Sequence, residues 1–208
     1  MFVPLKDKNF LRDIKFSYVN AGLIIANIVI FLLPLIGFTS LSAPDIAITF
    51  GVVPLEILGG DGKYKEAVSV PENFTLFTYM FLHGGIMHLA MNMLVLWVLG
   101  DNVEDAMGHF KYLIFYIACG VFAALLHVFI LSDSSVPMIG ASGAASGIIA
   151  AYFVLFPKAR IWGLLAMRIP VPLPAFMALG LWILTQFVSV ALIEDSQVAW
   201  WGHIGGLM

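Results

Sequence analysis

Residues 138–153 read MIGASGAASGIIAAYF, sixteen positions with two serines, three glycines and no charged side chain. Two readings compete for this stretch. Ser142, Gly143, Ser146 and Gly147 are small residues of the kind that let membrane helices lie close together. Alternatively, Ser142 is a nucleophile held at membrane depth. The rest of the chain has to arbitrate.

The 208 residues are 61% hydrophobic and only 11% charged, whereas soluble domains carry about 25% charged residues. The mean hydropathy of +0.99 is that of a membrane protein. A net charge of -3 with no basic stripe leaves nucleic-acid binding without a footprint. The single cysteine, Cys119, excludes an internal disulfide and says nothing about redox compartment.

Crossing roughly 30 Å of hydrocarbon takes about 20 apolar residues in a helix. Uncharged runs of that kind lie near Val19–Phe38, His83–Gly100, Tyr112–Leu131, Met138–Phe156 and Val171–Ile193. A sixth begins near Val198 and is cut short at Met208, so the chain is expected to stop inside its last helix. The first run is too long for a signal-peptide core. The expected fold class is therefore all-α, a polytopic helical bundle with six transmembrane helices. Residues 1–18 form a polar lead, expected as an interfacial or cytoplasmic helix. Residues 39–82 form a long connection with Pro44, Pro54, Pro71 and GGDGKYKE at 59–66. It is expected to lie partly in the membrane interface or to act as a hairpin-like tether.

Alternating loops divide the basic residues unequally. Lys6, Lys8, Arg12, Lys15, Lys111, Lys158, Arg160 and Arg168 share one side, leaving Lys63 and Lys65 on the other. The positive-inside tendency then places the N-terminus in the cytoplasm. The expected location is a multi-pass position in the cell (inner) membrane of a prokaryote.

Polar groups at membrane depth are costly and mark functional candidates. His83, His88 and Asn92 in FLHGGIMHLAMNMLVLW, Ser142 and Ser146 in GASGAASG, and His203 in WWGHIGGLM all fall near the outer ends of their spans. His88 and Asn92 are four apart and share a helical face. Ser142 follows Pro137 and Gly140 and stands at a helix N-terminus, where free N–H groups favour developing negative charge. A serine hydroxyl needs a base, and His203 is the natural candidate. Gly202 and Gly206 would let its helix approach the one that begins at Ser142. Close packing and catalysis both remain open on this reading. Metal binding has little support: His83 and His88 are five apart and do not share a helical face, no H-E-x-x-H or neighbouring carboxylate occurs, His109 falls on the cytoplasmic side, and His127 has no companion spacing. The hydrolase elbow G-x-S-x-G also fails, since residues 140–144 read GASGA and no alternating strands are expected.

With GASG heading one span, GHIGG heading the last and HGGIMHLAMN opening the second, the chain resembles a rhomboid intramembrane serine protease. The similarity runs from FGVVPLEIL (50–58) to the end, through FTYMFLHGG and the E-x-x-x-G of VEDAMGHFKYLIFY. The resemblance implies a protease core over residues 19–208 behind the 1–18 segment. Ser142 would be the nucleophile and His203 the general base and acid, as a dyad with no aspartate; Glu194 and Asp195 merely precede the His203 span. His88, Asn92 and the Ser142 N–H would support the oxyanion. His83, Gly140, Gly143, Gly202 and Gly206 would be structural. Neither a metal nor an organic cofactor is implied. The implied partners are transmembrane protein substrates and the lipid bilayer, with oligomeric state unread. One departure is that many members carry an aromatic residue four positions after the nucleophile, where this chain has Ser146. The rivals are a catalytically inactive rhomboid-like scaffold that binds client transmembrane helices, and a transporter or channel lined by histidines.

Overall fold

In a computed structural model, residues 2–60, 70–165, 168–192 and 198–208 are described. The elements are β1 (Phe2–Asp7), α1 (Tyr18–Leu35), α2 (Ala43–Phe50), α3 (Pro54–Ile57), α4 (Glu72–Thr78), α5 (Ile86–Val95), α6 (Asp101–Met107), α7 (His109–Ile130), α8 (Ser142–Leu155), β2 (Arg160–Leu165), β3 (Ile169–Pro174), α9 (Ala175–Leu192) and α10 (Trp200–Leu207). A π turn, Leu96–Gly100, joins α5 to α6, so helix runs on through Met107 rather than stopping at Gly100.

Four described helical stretches are long and apolar enough to cross a membrane: Tyr18–Leu35, Ile86–Met107, His109–Ile130 and Ala175–Leu192. The polarity of α1 is the reverse of a soluble helix. Asn20 and Asn27 are buried, whereas Ile25, Ile28, Val29 and Leu32 face outward. Hydrocarbon suits the aliphatic side chains, and the amides find partners only inside the bundle. Asn20 donates from Nδ2 to the Leu96 carbonyl at the π turn and accepts from the Tyr112 hydroxyl at Oδ1. By contrast, α8 is short, about 21 Å at 1.5 Å per residue, and is buried along most of its length against α7 and α10. It begins at Ser142 rather than Met138, because Met138 pairs with Val52 as an isolated bridge.

Three sequence expectations need correction. The segment before α1 contains a strand, not a helix, and the molecule is mostly helical rather than all-α. β1 pairs antiparallel with β2, and β2 with β3, in the order β1-β2-β3. The prolines explain the strands. Pro170, Pro172 and Pro174 recur at every second residue of β3, an edge strand, so their missing N–H groups all fall on one side of it. The same prolines bar a helix, which is why the fifth apolar helix starts at Ala175 and not Val171. Pro4 lies at the irregularity in β1. These strands lie at the end of the bundle opposite Ser142 and take no part in presenting it.

The long connection holds α2, α3 and α4. Its first helix opens with a capping box: Asp45 N donates to Ser42 Oγ and Ser42 N to Asp45 Oδ2. Lys63 and Lys65 lie outside the described residues. All the described lysines and arginines sit at the sheet end, on the N-terminal segment, the start of α7 and the β2–β3 region.

Candidate active site

The polypeptide entering α8 is pinned from two directions. Val52 and Met138 exchange backbone hydrogen bonds of 3.0 and 2.8 Å, and Gly140 N donates to the Tyr79 carbonyl at 2.9 Å. Tyr79 is itself fully buried, with its hydroxyl donating to the Gly120 carbonyl at 2.6 Å. Gly140 has φ +121, a conformation that side-chain-bearing residues rarely adopt, and a Cβ there would lie 2.7 Å from His88 Nε2. The chain therefore delivers Ser142 to the first position of α8. There its N–H, like those of Gly143 and Ala144, precedes the first helical hydrogen bond, which Ala145 N makes to the Ala141 carbonyl at 2.9 Å. Ser146 Oγ donates back to the Ser142 carbonyl at 2.7 Å.

Two close helix contacts bring His203 to this point. A Cβ on Gly206 would lie 1.8 Å from the Gly143 carbonyl oxygen, and one on Gly143 would lie 2.6 Å from Ala123 Cβ. Only hydrogen at these positions lets α10, α8 and α7 meet. Gly202 faces Met138, whose Cε would be 2.4 Å from an added Cβ. In the result, His203 Nε2 is 2.9 Å from Ser142 Oγ.

The other candidates surround this pair unevenly. His88 sits on α5 with its ring against Gly140, and Gly84 N donates weakly to His88 Nδ1 at 3.4 Å. His83 precedes the helix and packs its ring edge-on against that of His88, with centroids 5.0 Å apart. Asn92, one turn after His88, is buried, and its Nδ2 has no acceptor among the described residues. His127 is buried near the end of α7. His109 is at the other end, where Nδ1 contacts Glu104 Oε1. Among the described residues, no three His, Cys, Asp or Glu side chains converge.

Two features were not anticipated from sequence. First, the indoles of Trp182 and Trp200 flank His203, with centroids 6.1 and 5.8 Å from the imidazole. They supply aromatic packing that Ser146 cannot. Second, Gln186 Oε1 is 2.8 Å from His203 Nδ1. Glu194 and Asp195 lie outside the described residues. The signal for Gln186 was available, because it is an amide in the middle of an apolar run. It also falls on the stripe Ala175, Ala178, Leu179, Gln186 that turns inward while Leu181, Leu184 and Phe187 face out.

Known proteins match the chain in the same region. The rhomboid domain model matches residues 71–208, well over half of the chain. Rhomboid protease GluP of Bacillus subtilis is 31% identical over 166 residues, covering 74% of this chain and 30% of that protein. Rhomboid protease AarA of Providencia stuartii is 34% identical over 145 residues, covering 61% of this chain and 50% of its own length. RHOMBOID-like protein 6, mitochondrial, of Arabidopsis thaliana is 34% identical over 88 residues, 42% of this chain and 28% of its own. The chain thus spans half or less of the curated relatives it matches. The matched region holds both the Ser142 and His203 segments and sits among helices built for lipid, and on those grounds this multi-pass membrane protein belongs to the rhomboid family.

Proposed function

We propose that the chain is an intramembrane serine endopeptidase that cleaves peptide bonds in or near transmembrane segments of other proteins. The observation that carries this reading is the 2.9 Å contact between Ser142 Oγ and His203 Nε2, within the reach a nucleophile and its base require. His203 takes the hydroxyl proton as Ser142 Oγ attacks the scissile carbonyl carbon. The resulting oxyanion is held by the Ser142 N–H, Asn92 Nδ2 and His88. The unpartnered Asn92 Nδ2 supports this role, since a buried donor without an acceptor is costly unless a ligand uses it. The C–N bond then breaks, the imidazolium protonates the leaving amine, and water hydrolyses the acyl-enzyme with His203 again as base. In this reading the chain has six transmembrane helices, with α8 and α10 as the short inner members. Its N-terminus and sheet face the cytoplasm of a prokaryotic cell, and Ser142 opens toward the outer leaflet.

The test is cleavage of a model transmembrane substrate in liposomes, with fluorophosphonate labelling alongside. Wild type should cleave and label, and Ser142→Ala and His203→Ala should do neither. A folded wild-type protein that never labels or cleaves would favour a non-catalytic scaffold that binds client helices.

A further inference from the structure

We propose that Gln186 is a positioning residue that holds His203 in the tautomer able to act as base. The inference rests on the serine-protease reading and names what orients its imidazole. Gln186 is 3% exposed and faces inward from α9. Its amide can be assigned from its partners. Nε2 lies 3.1 Å from the Trp182 carbonyl oxygen, which can only accept, and 3.2 Å from Thr185 Oγ1. Thr185 in turn donates its proton to that same carbonyl at 2.6 Å. The NH2 group must therefore face Trp182 and Thr185, which turns Oε1 toward His203 Nδ1 at 2.8 Å. An amide oxygen has no proton to give, so Nδ1 must carry the hydrogen of that bond. The neutral ring then presents the Nε2 lone pair to Ser142 Oγ.

The arrangement follows the logic of a triad, with an amide in place of the carboxylate. When the serine proton reaches Nε2, the ring becomes an imidazolium while Nδ1–H keeps its acceptor. A carboxylate would stabilise that cation more, but it would have to be buried as a charge at membrane depth. A neutral amide avoids that cost and still fixes the ring. The tie also links α9 to α10, so the position of α9 bears directly on the base.

The experiment pairs a spectroscopic readout with kinetics. Nitrogen-15 NMR of histidine-labelled protein in detergent, with His203 assigned by loss in His203→Ala, reports which ring nitrogen carries the proton above the titration range. Wild type should show Nδ1–H and an unprotonated Nε2, and Gln186→Leu should lose that preference. In liposome cleavage, Gln186→Leu should lower kcat at least about tenfold with KM unchanged. That loss should fall short of the roughly 10⁴ seen when a triad carboxylate is replaced by an amide that imposes the wrong tautomer. Gln186→Glu, which keeps an acceptor oxygen, should restore most of the rate. Protonation at Nε2 in wild type, or wild-type cleavage by Gln186→Leu, would overturn the proposal. An Nδ1–H signature in a chain that cleaves nothing would instead overturn the protease reading and leave the Gln186–His203 bond standing.

Discussion

A hydroxyl at the head of a helix becomes a nucleophile only when its proton has somewhere to go, and here an imidazole nitrogen stands 2.9 Å away. Asn92 offers a sharper residue-level test than the pair itself. Its buried Nδ2 has no partner among the described residues, so removing it forfeits no hydrogen bond of that group there. We expect Asn92→Ala to keep its unfolding free energy within about 1 kcal/mol of wild type, as measured by denaturation in micelles. Cleavage should nonetheless fall by roughly 10²–10³. Equal losses in stability and rate would mean that Asn92 is interhelical glue and not an oxyanion donor.

Between elements, close approach is set by glycine. An added Cβ on Gly206 would overlap the backbone carbonyl of Gly143 at 1.8 Å, and no side chain can rotate to relieve that clash. Gly206→Ala should therefore push α10 off α8 and cost about 1–3 kcal/mol or more. It should also lengthen the Ser142–His203 contact and lower activity at least about tenfold. Thermal unfolding and cleavage rate should fall together in this variant, unlike in Asn92→Ala. At the opposite end, α1 has no side-chain cap from Ser17. Buried Glu104 caps it from a distance, accepting Val19 N at 3.1 Å and Asn20 N at 2.7 Å. The neighbouring Asp105 accepts the backbone N–H groups of Arg12, Asp13 and Ile14. Hydrogen bonds to charged groups contribute about 1.5–3 kcal/mol. Glu104→Ala should thus destabilise the protein by that order, with Glu104→Gln intermediate; unchanged unfolding in both variants would remove the capping role.

Across the whole molecule, Asp7 ties the N-terminal sheet to the bundle, with the Tyr152 hydroxyl donating to its Oδ2 at 2.6 Å. Burial raises its carboxyl from an ordinary 3.8 to about 6, against the opposing effect of the Tyr152 bond. A carboxyl raised on folding holds more protons in the native state than in the unfolded one between those two values. Stability should accordingly increase as pH falls from about 7 through 6 toward 4. Measured against Asp7→Asn, wild type should be the less stable at pH 7.5 and should close the gap by pH 5; a constant difference would refute the assignment. Much of this molecule could be read from composition and spacing. Lipid imposes about 20 apolar residues per crossing, and the penalty on polar groups at depth marks His83, His88, Asn92, Ser142, Ser146 and His203 as candidates. Both are one-dimensional constraints, written along the chain. The rest depended on which faces meet. Phe2–Asp7 became a strand because β2 offered an edge, and three alternating prolines ended the possibility of helix before Ala175. Gln186 joined His203 because the inward stripe of α9 delivers it there, across seventeen residues of sequence. Spacing within one helix can be counted, whereas the rotation of one helix against another is decided by packing all of them at once.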